Sequence, residues 1–202
     1  MSFKTTLNNK LAKVKRSVYF LRMNKKHDII RAAERLFYTN GFHATSTDRI
    51  CSEAKVSTRT LYRYFPSREA LTEAVMDERK ARFFAALHAP DHPKAIPHLF
   101  TTFDQWMQEH GALGCFFLKV WGEYAQQDLR LSALALDYRY AMRDYIAACV
   151  SHACGEPNGA LADAVWILFE GAITSALLIG AEAASRAGEA ASLLIAANKR
   201  CL

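Results

Sequence analysis

Glycine and proline are scarce in this 202-residue chain, nine and five residues respectively, which excludes collagen-like and low-complexity disordered architectures. Cysteine is too irregular for a disulfide scaffold: Cys51, Cys115, Cys149, Cys154 and Cys201 are an odd number, form no C-x-x-C pair and sit in apolar helical surroundings. A reducing compartment is the expectation. No stretch reaches the ~18 uninterrupted apolar residues of a membrane helix, because the best candidate, 161–184, is broken by Asp163, Glu170 and Glu182. The N-terminal residues lack the hydrophobic core, about 7–15 residues long, of a secretory leader. A soluble, cytoplasmic protein with no membrane partner is expected. G-x-S-x-G, H-E-x-x-H, G-x-G-x-x-G and P-loop motifs are also missing, so no catalytic residue, cofactor or metal is assigned and a non-enzyme is expected.

What is present is apolar and unevenly charged. With 51% apolar residues the chain can fill one large or two small packed domains. Residues 1–80 hold 17 bases and 8 acids, a surplus of +9, whereas 81–202 hold 9 bases and 12 acids, a balance of −3. The basic end is the candidate polyanion-binding end. Its first part, 1–22, is a basic arm with Lys4, Lys10, Lys13, Lys15, Arg16 and Arg22. Two readings stay open for the arm, a disordered tail and a segment that touches DNA. Met23 directly precedes the first strongly patterned segment, so an upstream extension set by start-codon choice also fits.

From Asn24 a helical period places Ile29, Ile30, Ala33, Leu36 and Phe37 on one face and Lys26, Asp28, Arg31 and Arg35 on the other. Asn40-Gly41 ends that helix. Thr45-Ser46-Thr47-Asp48 supplies a capping-box-like start, with Asp48 three residues after Thr45, for a short second helix through Ala54. Ser57 caps a third, from Thr58 to about Phe65, whose Leu61 and Phe65 pack with Ile50, Ala54 and Val56. Thr58, Arg59, Thr60, Tyr62, Arg63 and Tyr64 are then left pointing away from the shared core. A helix of this size fits the B-DNA major groove, about 12 Å wide, where Arg pairs bidentately with guanine and hydroxyls reach bases or phosphates. The hydroxyl-rich start of the second helix offers N–H groups to phosphate.

The run from Gly41 to Leu71, with Leu61-Tyr62-Arg63-Tyr64-Phe65 followed by Ser67-Arg68-Glu69-Ala70-Leu71, resembles the helix-turn-helix signature of TetR-type (TetR/AcrR) transcriptional regulators over about fifty residues, Lys25 to Val75. The resemblance implies an all-α fold: an N-terminal three-helix helix-turn-helix domain and a C-terminal helical domain for ligand binding and dimerisation. It implies a homodimer on double-stranded, palindromic operator DNA, released as a repressor when a small molecule enters the C-terminal domain. Carried onto this chain, it makes Thr45 and Thr47 phosphate contacts and Tyr62, Tyr64 and Arg68 backbone anchors, and Ser46 and Ser57 are counted with them as DNA-binding residues. Thr58, Arg59, Thr60 and Arg63 become the base readers. Lys55 stands where the turn usually has Gly and must take a left-handed conformation, and Arg68 replaces a usual Lys. Cys51 reads as a buried, inert thiol.

The expected divisions are the arm at 1–22, the DNA-binding domain at 23–70, a connecting helix and linker at 71–92, and the ligand-binding and dimerisation domain at 93–202. The connecting helix, from near Arg68 to about Leu87, is expected to act as a lever that sets the spacing of two reading helices, roughly 34–36 Å on one DNA face. His88 and His92 flank Pro90 and read as solvated linker imidazoles rather than metal ligands. About five helices follow Lys94, with breaks at 111–114, 127–128, 155–159 and 186–188. If a cavity opens among them as the family implies, Trp106, Met107, Phe117, Trp121, Tyr124 and Met142 are its candidate lining and the inducer is apolar or aromatic. Glu123, Asp104, Lys119, His110 and Glu170 are polar candidates, equally well read as solvated. The segment 161–184 is apolar on more than one face, with Ala172, Ala176, Gly180, Ala183 and Ala184 permitting close approach of a partner helix. A dimer through the last two helices is expected. A helical small-molecule-binding protein or enzyme with incidental DNA binding is the alternative.

Overall fold

The computed structural model describes residues 25–199, and among these every regular element is a helix. The basic arm at 1–22 and Cys201 lie outside the described residues. Helix α1 occupies 25–40, α2 Thr47–Glu53, α3 Thr58–Tyr64, α4 Arg68–Ala85, α5 Ala95–His110, α6 Phe116–Tyr124, α7 Leu129–Cys154, α8 Gly159–Ile179 and α9 Glu182–Lys199. The chain divides into two compact units between Val75 and Met76, inside α4.

In the first unit the 3.6-residue period of α1 buries Ile29, Ile30, Ala33, Leu36 and Phe37 and exposes Lys26, Asp28, Arg31 and Arg35. Gly41, at φ 91°, lets the chain turn where α1 stops. Phe42 follows into the core, its ring 4.8 Å from that of Phe37. Ile50 and Cys51 from α2, Leu61 from α3, and Phe65, Leu71 and Val75 complete a small apolar centre.

The second unit is a helical bundle in which α8 pairs with α9, α6 with α7, α5 with α9, and α7 with α8. Its boundaries follow local chemistry. Asp128 caps α7 by accepting from the N–H groups of Arg130 and Leu131, both at 3.0 Å. Gly155 at φ 82° ends that helix, and Asn158 caps α8 through the N–H of Leu161 at 3.0 Å. The break expected at 186–188 is not there. It falls instead at Gly180, which leaves α8 at φ 66°, and α9 runs unbroken through Gly188. Gly188 is a helix-interior position held close against Phe100.

Helix α8 has the length and mean hydropathy, 1.6, of a membrane span, although Asp163 and Glu170 lie within it. One of its sides, through Leu161, Val165, Phe169, Ala172, Ile173 and Ala176, is buried in the bundle. Ile167 and Leu178 lie on another side and are exposed. The expected partner-facing residues Ala172, Ala176, Ala183 and Ala184 are therefore corrected: all four are buried within the chain, where their small size lets α9 lie close to its neighbours.

Candidate nucleic-acid interface

Three serines cap the starts of α2, α3 and α4. Ser46 accepts from the N–H of Arg49 at 3.2 Å, Ser57 from Thr60 at 3.2 Å, and Ser67 from Ala70 at 3.1 Å. Each satisfies an otherwise orphaned donor, and α2 and α3, seven residues each, are too short to be stable alone. The turn between α2 and α3 closes with two further bonds, Lys55 N–H to Ser52 O at 3.2 Å and Val56 N–H to Cys51 O at 3.0 Å, the Schellman pattern at a helix C-terminus. Lys55 adopts φ 52°, and among the described residues no other non-glycine has positive φ. The left-handed conformation expected of this lysine is present.

Helix α3 turns Leu61 inward. Arg59 and Arg63, four residues apart, lie on the opposite side and are exposed, as are Ser57 and Thr58. Tyr62 is 48% exposed, Thr60 and Tyr64 are half-buried, and the Arg63 guanidinium lies 5.1 Å from the Tyr64 ring centroid. The hydroxyls of Ser57 and Thr60 meet at 2.9 Å, so Thr60 reinforces the cap. Arg59 and Arg63 are the long cationic groups this helix presents outward, with Arg49 and Lys55 exposed nearby in the sequence.

Two expected phosphate groups are placed differently. Thr45 is 1% exposed, and its hydroxyl donates toward the carbonyl of Gly41 at 2.7 Å, with that of Leu36 at 3.2 Å. It fastens the loop to the end of α1, and the cap it was expected to supply comes from Ser46. Arg68 is half-buried, its guanidinium bonded to the carbonyl of Phe42 and 5.2 Å from the Phe37 ring centroid. It ties the start of α4 to the loop after α1. Ser46, exposed, and Thr47, half-buried, remain at the accessible N-terminus of α2. The ion pair of Arg35 with Glu53 braces α1 on α2.

In the second unit the six expected lining residues do not form one wall. Met107 and Met142 belong to the central core, and Trp106 packs half-buried against it. Phe117 and Tyr124 are buried in α6, with Phe117 stacked on Tyr138 at 3.7 Å. Trp121 is 43% exposed and lies on the outer side of α6, because the four apolar positions Phe116, Phe117, Val120 and Tyr124 already supply its inward face. It is removed from the interior set.

Sequence reading missed a buried cation, Arg79, and a half-buried one, Arg139. Arg79 is 6% exposed, with Trp106 and Phe116 rings 5.2 Å and 4.8 Å from its guanidinium. Arg139 pairs with Glu170 at 2.6 Å. Burial pushes the Glu170 carboxyl up, and Arg139 opposes that shift. The thiol of Cys115, 3.6 Å from Arg139, is likewise pushed up by burial, which makes it a poor nucleophile. A helical arginine shows the same spacing whether it faces water or a ring, so nothing in the pattern marks Arg79 or Arg139.

Comparison with known proteins agrees with this geometry. Residues 29–75 match the family described as bacterial regulatory proteins, tetR family. The chain is 39% identical over 62 residues to the HTH-type transcriptional regulator UidR of Escherichia coli K12, covering 31% of this chain and 32% of UidR. The match thus spans about a third of that relative's length. SCO4454, a TetR-family transcriptional regulator from Streptomyces coelicolor, shares the fold with a TM-score of 0.77 at 21% identity, over 88% of this chain and 97% of its own. The multidrug binding protein EbrR, solved with malachite green, gives 0.62 at 19% identity, over 84% and 96%.

Proposed function

We propose that this chain, whose residues 29–75 match the tetR family of bacterial regulatory proteins and whose fold is shared with a TetR-family regulator, is a homodimeric, cytoplasmic transcriptional repressor. Its paired α3 helices read a palindromic operator, and a small apolar or aromatic inducer releases it. The observation that carries this reading is the exposed pair Arg59 and Arg63 on a helix whose cap, turn and core side are all fixed. A preorganised helix loses little backbone freedom when it enters a groove. Thr58 and Tyr62 flank the pair. Ser46, Thr47 and the N–H groups at the start of α2 hold phosphate and fix the register.

For the inducer, the reading is supported by the apolar, sulfur-bearing core of the second unit, where Trp106 packs against the cluster that holds Met107 and Met142. The solved complex of EbrR with malachite green supports a small-molecule partner for this fold. Reversing a 99:1 preference for the DNA-competent state requires the inducer to favour the released state by about 5.5 kcal/mol. Release runs through α4, the described helix that has residues in both units.

The test is binding to DNA from upstream of the protein's own gene. Arg59→Ala and Arg63→Ala should each lower specific affinity by about 1–3 kcal/mol and flatten base preference, with the thermal unfolding curve unchanged. Affinity should also fall steeply with salt, with a log–log slope of roughly −0.9 for each phosphate neutralised. Wild-type affinity and salt slope in a folded double variant would sink the reading.

A further inference from the structure

The turn between α2 and α3 carries a side chain that the fold does not need. Lys55 is held at φ 52°, where its Cβ crowds the following carbonyl and a glycine would not. Nothing in the packed core depends on that side chain: Lys55 is exposed, and its ammonium has no carboxylate partner among the described residues. The two bonds that close the turn come from the backbone N–H groups of Lys55 and Val56, and they form equally well with glycine at position 55. A strained residue whose side chain serves nothing inside the molecule points to a use outside it.

The surroundings of Lys55 set the charge of the partner. It shares a shallow cleft with Lys25, Arg31 and Arg35 of α1 and with two acids, Asp28 and Glu53. Arg35 and Glu53 are paired with each other, so what remains is Lys25, Arg31 and Lys55 against Asp28, a positive balance on exposed side chains. The position of the turn identifies the anion. In a helix-turn-helix the first helix crosses the DNA backbone, and the N-terminal residues of the second reach base edges. Here those helices are α2 and α3, and Lys55 stands at their junction, two residues before the Ser57 cap. The groove floor is reached by residues further along α3, Arg59 and Arg63, which leaves the junction beside the sugar-phosphate wall. We propose, resting on the operator-binding reading above, that Lys55 is a further DNA contact: its ammonium neutralises one backbone phosphate at the edge of the half-site read by α3. Glycine at this position closes the turn without strain but cannot make that contact. The contact fixes position and carries no sequence information.

The experiment is a salt titration of duplex binding, followed by fluorescence anisotropy, with the full-length protein, DNA from upstream of its own gene and a random-sequence duplex. Each phosphate contact adds roughly 0.9 to the log–log salt slope. Lys55→Gln keeps the left-handed backbone and removes the charge, so in a homodimer it should make the slope shallower by about 1.8 and weaken binding about fivefold per subunit near 0.15 M salt. Lys55→Gly should do the same although it relieves the strain, and Lys55→Arg should stay within about twofold of wild type. Both weakened variants should lose affinity for the two duplexes by one common factor, keeping base preference, whereas Arg59→Ala should lose that preference. A wild-type slope in folded Lys55→Gln overturns the proposal. So does wild-type affinity in Lys55→Gly, or loss of base preference in either variant. If the wild type binds neither duplex, the regulator reading fails and this contact with it. If the wild type binds and Arg59→Ala loses base preference while Lys55→Gln keeps the slope, this contact fails alone.

Discussion

At the scale of single residues, Lys55 shows most directly how a backbone requirement outranks a side-chain preference. The α2–α3 turn needs a left-handed residue, and the chain supplies a lysine at φ 52°. A Cβ in that conformation costs about 1 kcal/mol or more. Lys55→Gly should therefore raise stability by about 0.5–1 kcal/mol, and Lys55→Val should lower it by at least as much, read as shifts in the urea midpoint. That conformation was legible through the family resemblance, since Lys55 stands where the turn usually has Gly. The inward turn of Thr45 was not legible, since adjacent hydroxyls at 45, 46 and 47 offer the same capping chemistry and only the packed loop selects Ser46. Histidine gives a second residue-level prediction. The rings of His88 and His98 stack at 3.7 Å and those of His88 and His92 lie 4.0 Å apart. His92 Nδ1 accepts from the N–H of Lys94 at 3.1 Å, and His98 Nε2 donates to the carbonyl of Ala86 at 3.0 Å. Desolvation, and then the neighbouring His92 and His98, hold the His88 pKa below its ordinary 6.5. Below pH 6.5 the unfolded chain takes up a proton that folded His88 resists, so stability is full above that pH and declines as pH falls further. His88→Gln should flatten the fall in melting temperature between neutral pH and about pH 5; an unchanged slope would show that the stack does not contribute.

Elements were read well where caps and period agree, and poorly where one residue type carries two meanings. Ser57, Asp128 and Asn158 each begin a helix by bonding an N–H two or three residues ahead, a signal written locally in the chain. Glycine is ambiguous. Gly155 and Gly180 end helices at positive φ, whereas Gly188 lies inside α9 and serves packing, and nothing in the neighbouring residues separates the two uses. The distinction is testable. Gly188→Ala gains up to about 1 kcal/mol of helix propensity, but its Cβ would meet Phe100 Cβ at 2.9 Å and Cγ at 3.1 Å, stiff atoms near the ring's attachment that cannot swing aside. Overpacking of this kind costs about 1–3 kcal/mol, so the net change should be destabilising and should appear as a lower urea midpoint. A midpoint at or above wild type would mean that α5 and α9 are less closely locked than the geometry indicates. Burial was half legible for a related reason: aromatic content announces a core, but Trp121 and Phe117 differ in exposure only through the rotation of α6.

For the whole molecule, the open question is what covers α8. Its outward side, through Ile167, Gly171, Thr174 and Leu178 at helical spacing, leaves Ile167 61% and Leu178 89% exposed, and Leu194 of the adjoining α9 is 39% exposed. Water-facing isoleucine and leucine interleaved with glycine and threonine form an apolar surface on which a like surface can lie closely. Under the homodimer proposed above, a second copy of the same chain would satisfy it by symmetry, each α8 meeting the other in an isologous contact. An interface of about 2,000 Å² or more is expected for an obligate pair of this kind. A carboxylate at the centre should be poorly tolerated: Leu178→Asp should weaken association by about 2–4 kcal/mol, and sedimentation at micromolar concentration should then report single chains where the wild type gives pairs. Operator affinity should fall with it, because one α3 reaches one half-site and the second contact is lost, while affinity for a single half-site should stay near wild type. That last comparison separates the two roles of the molecule. If Leu178→Asp remains paired, or if the wild type is already a single chain at that concentration, the partner surface lies elsewhere and α8 must be covered by something other than its own copy.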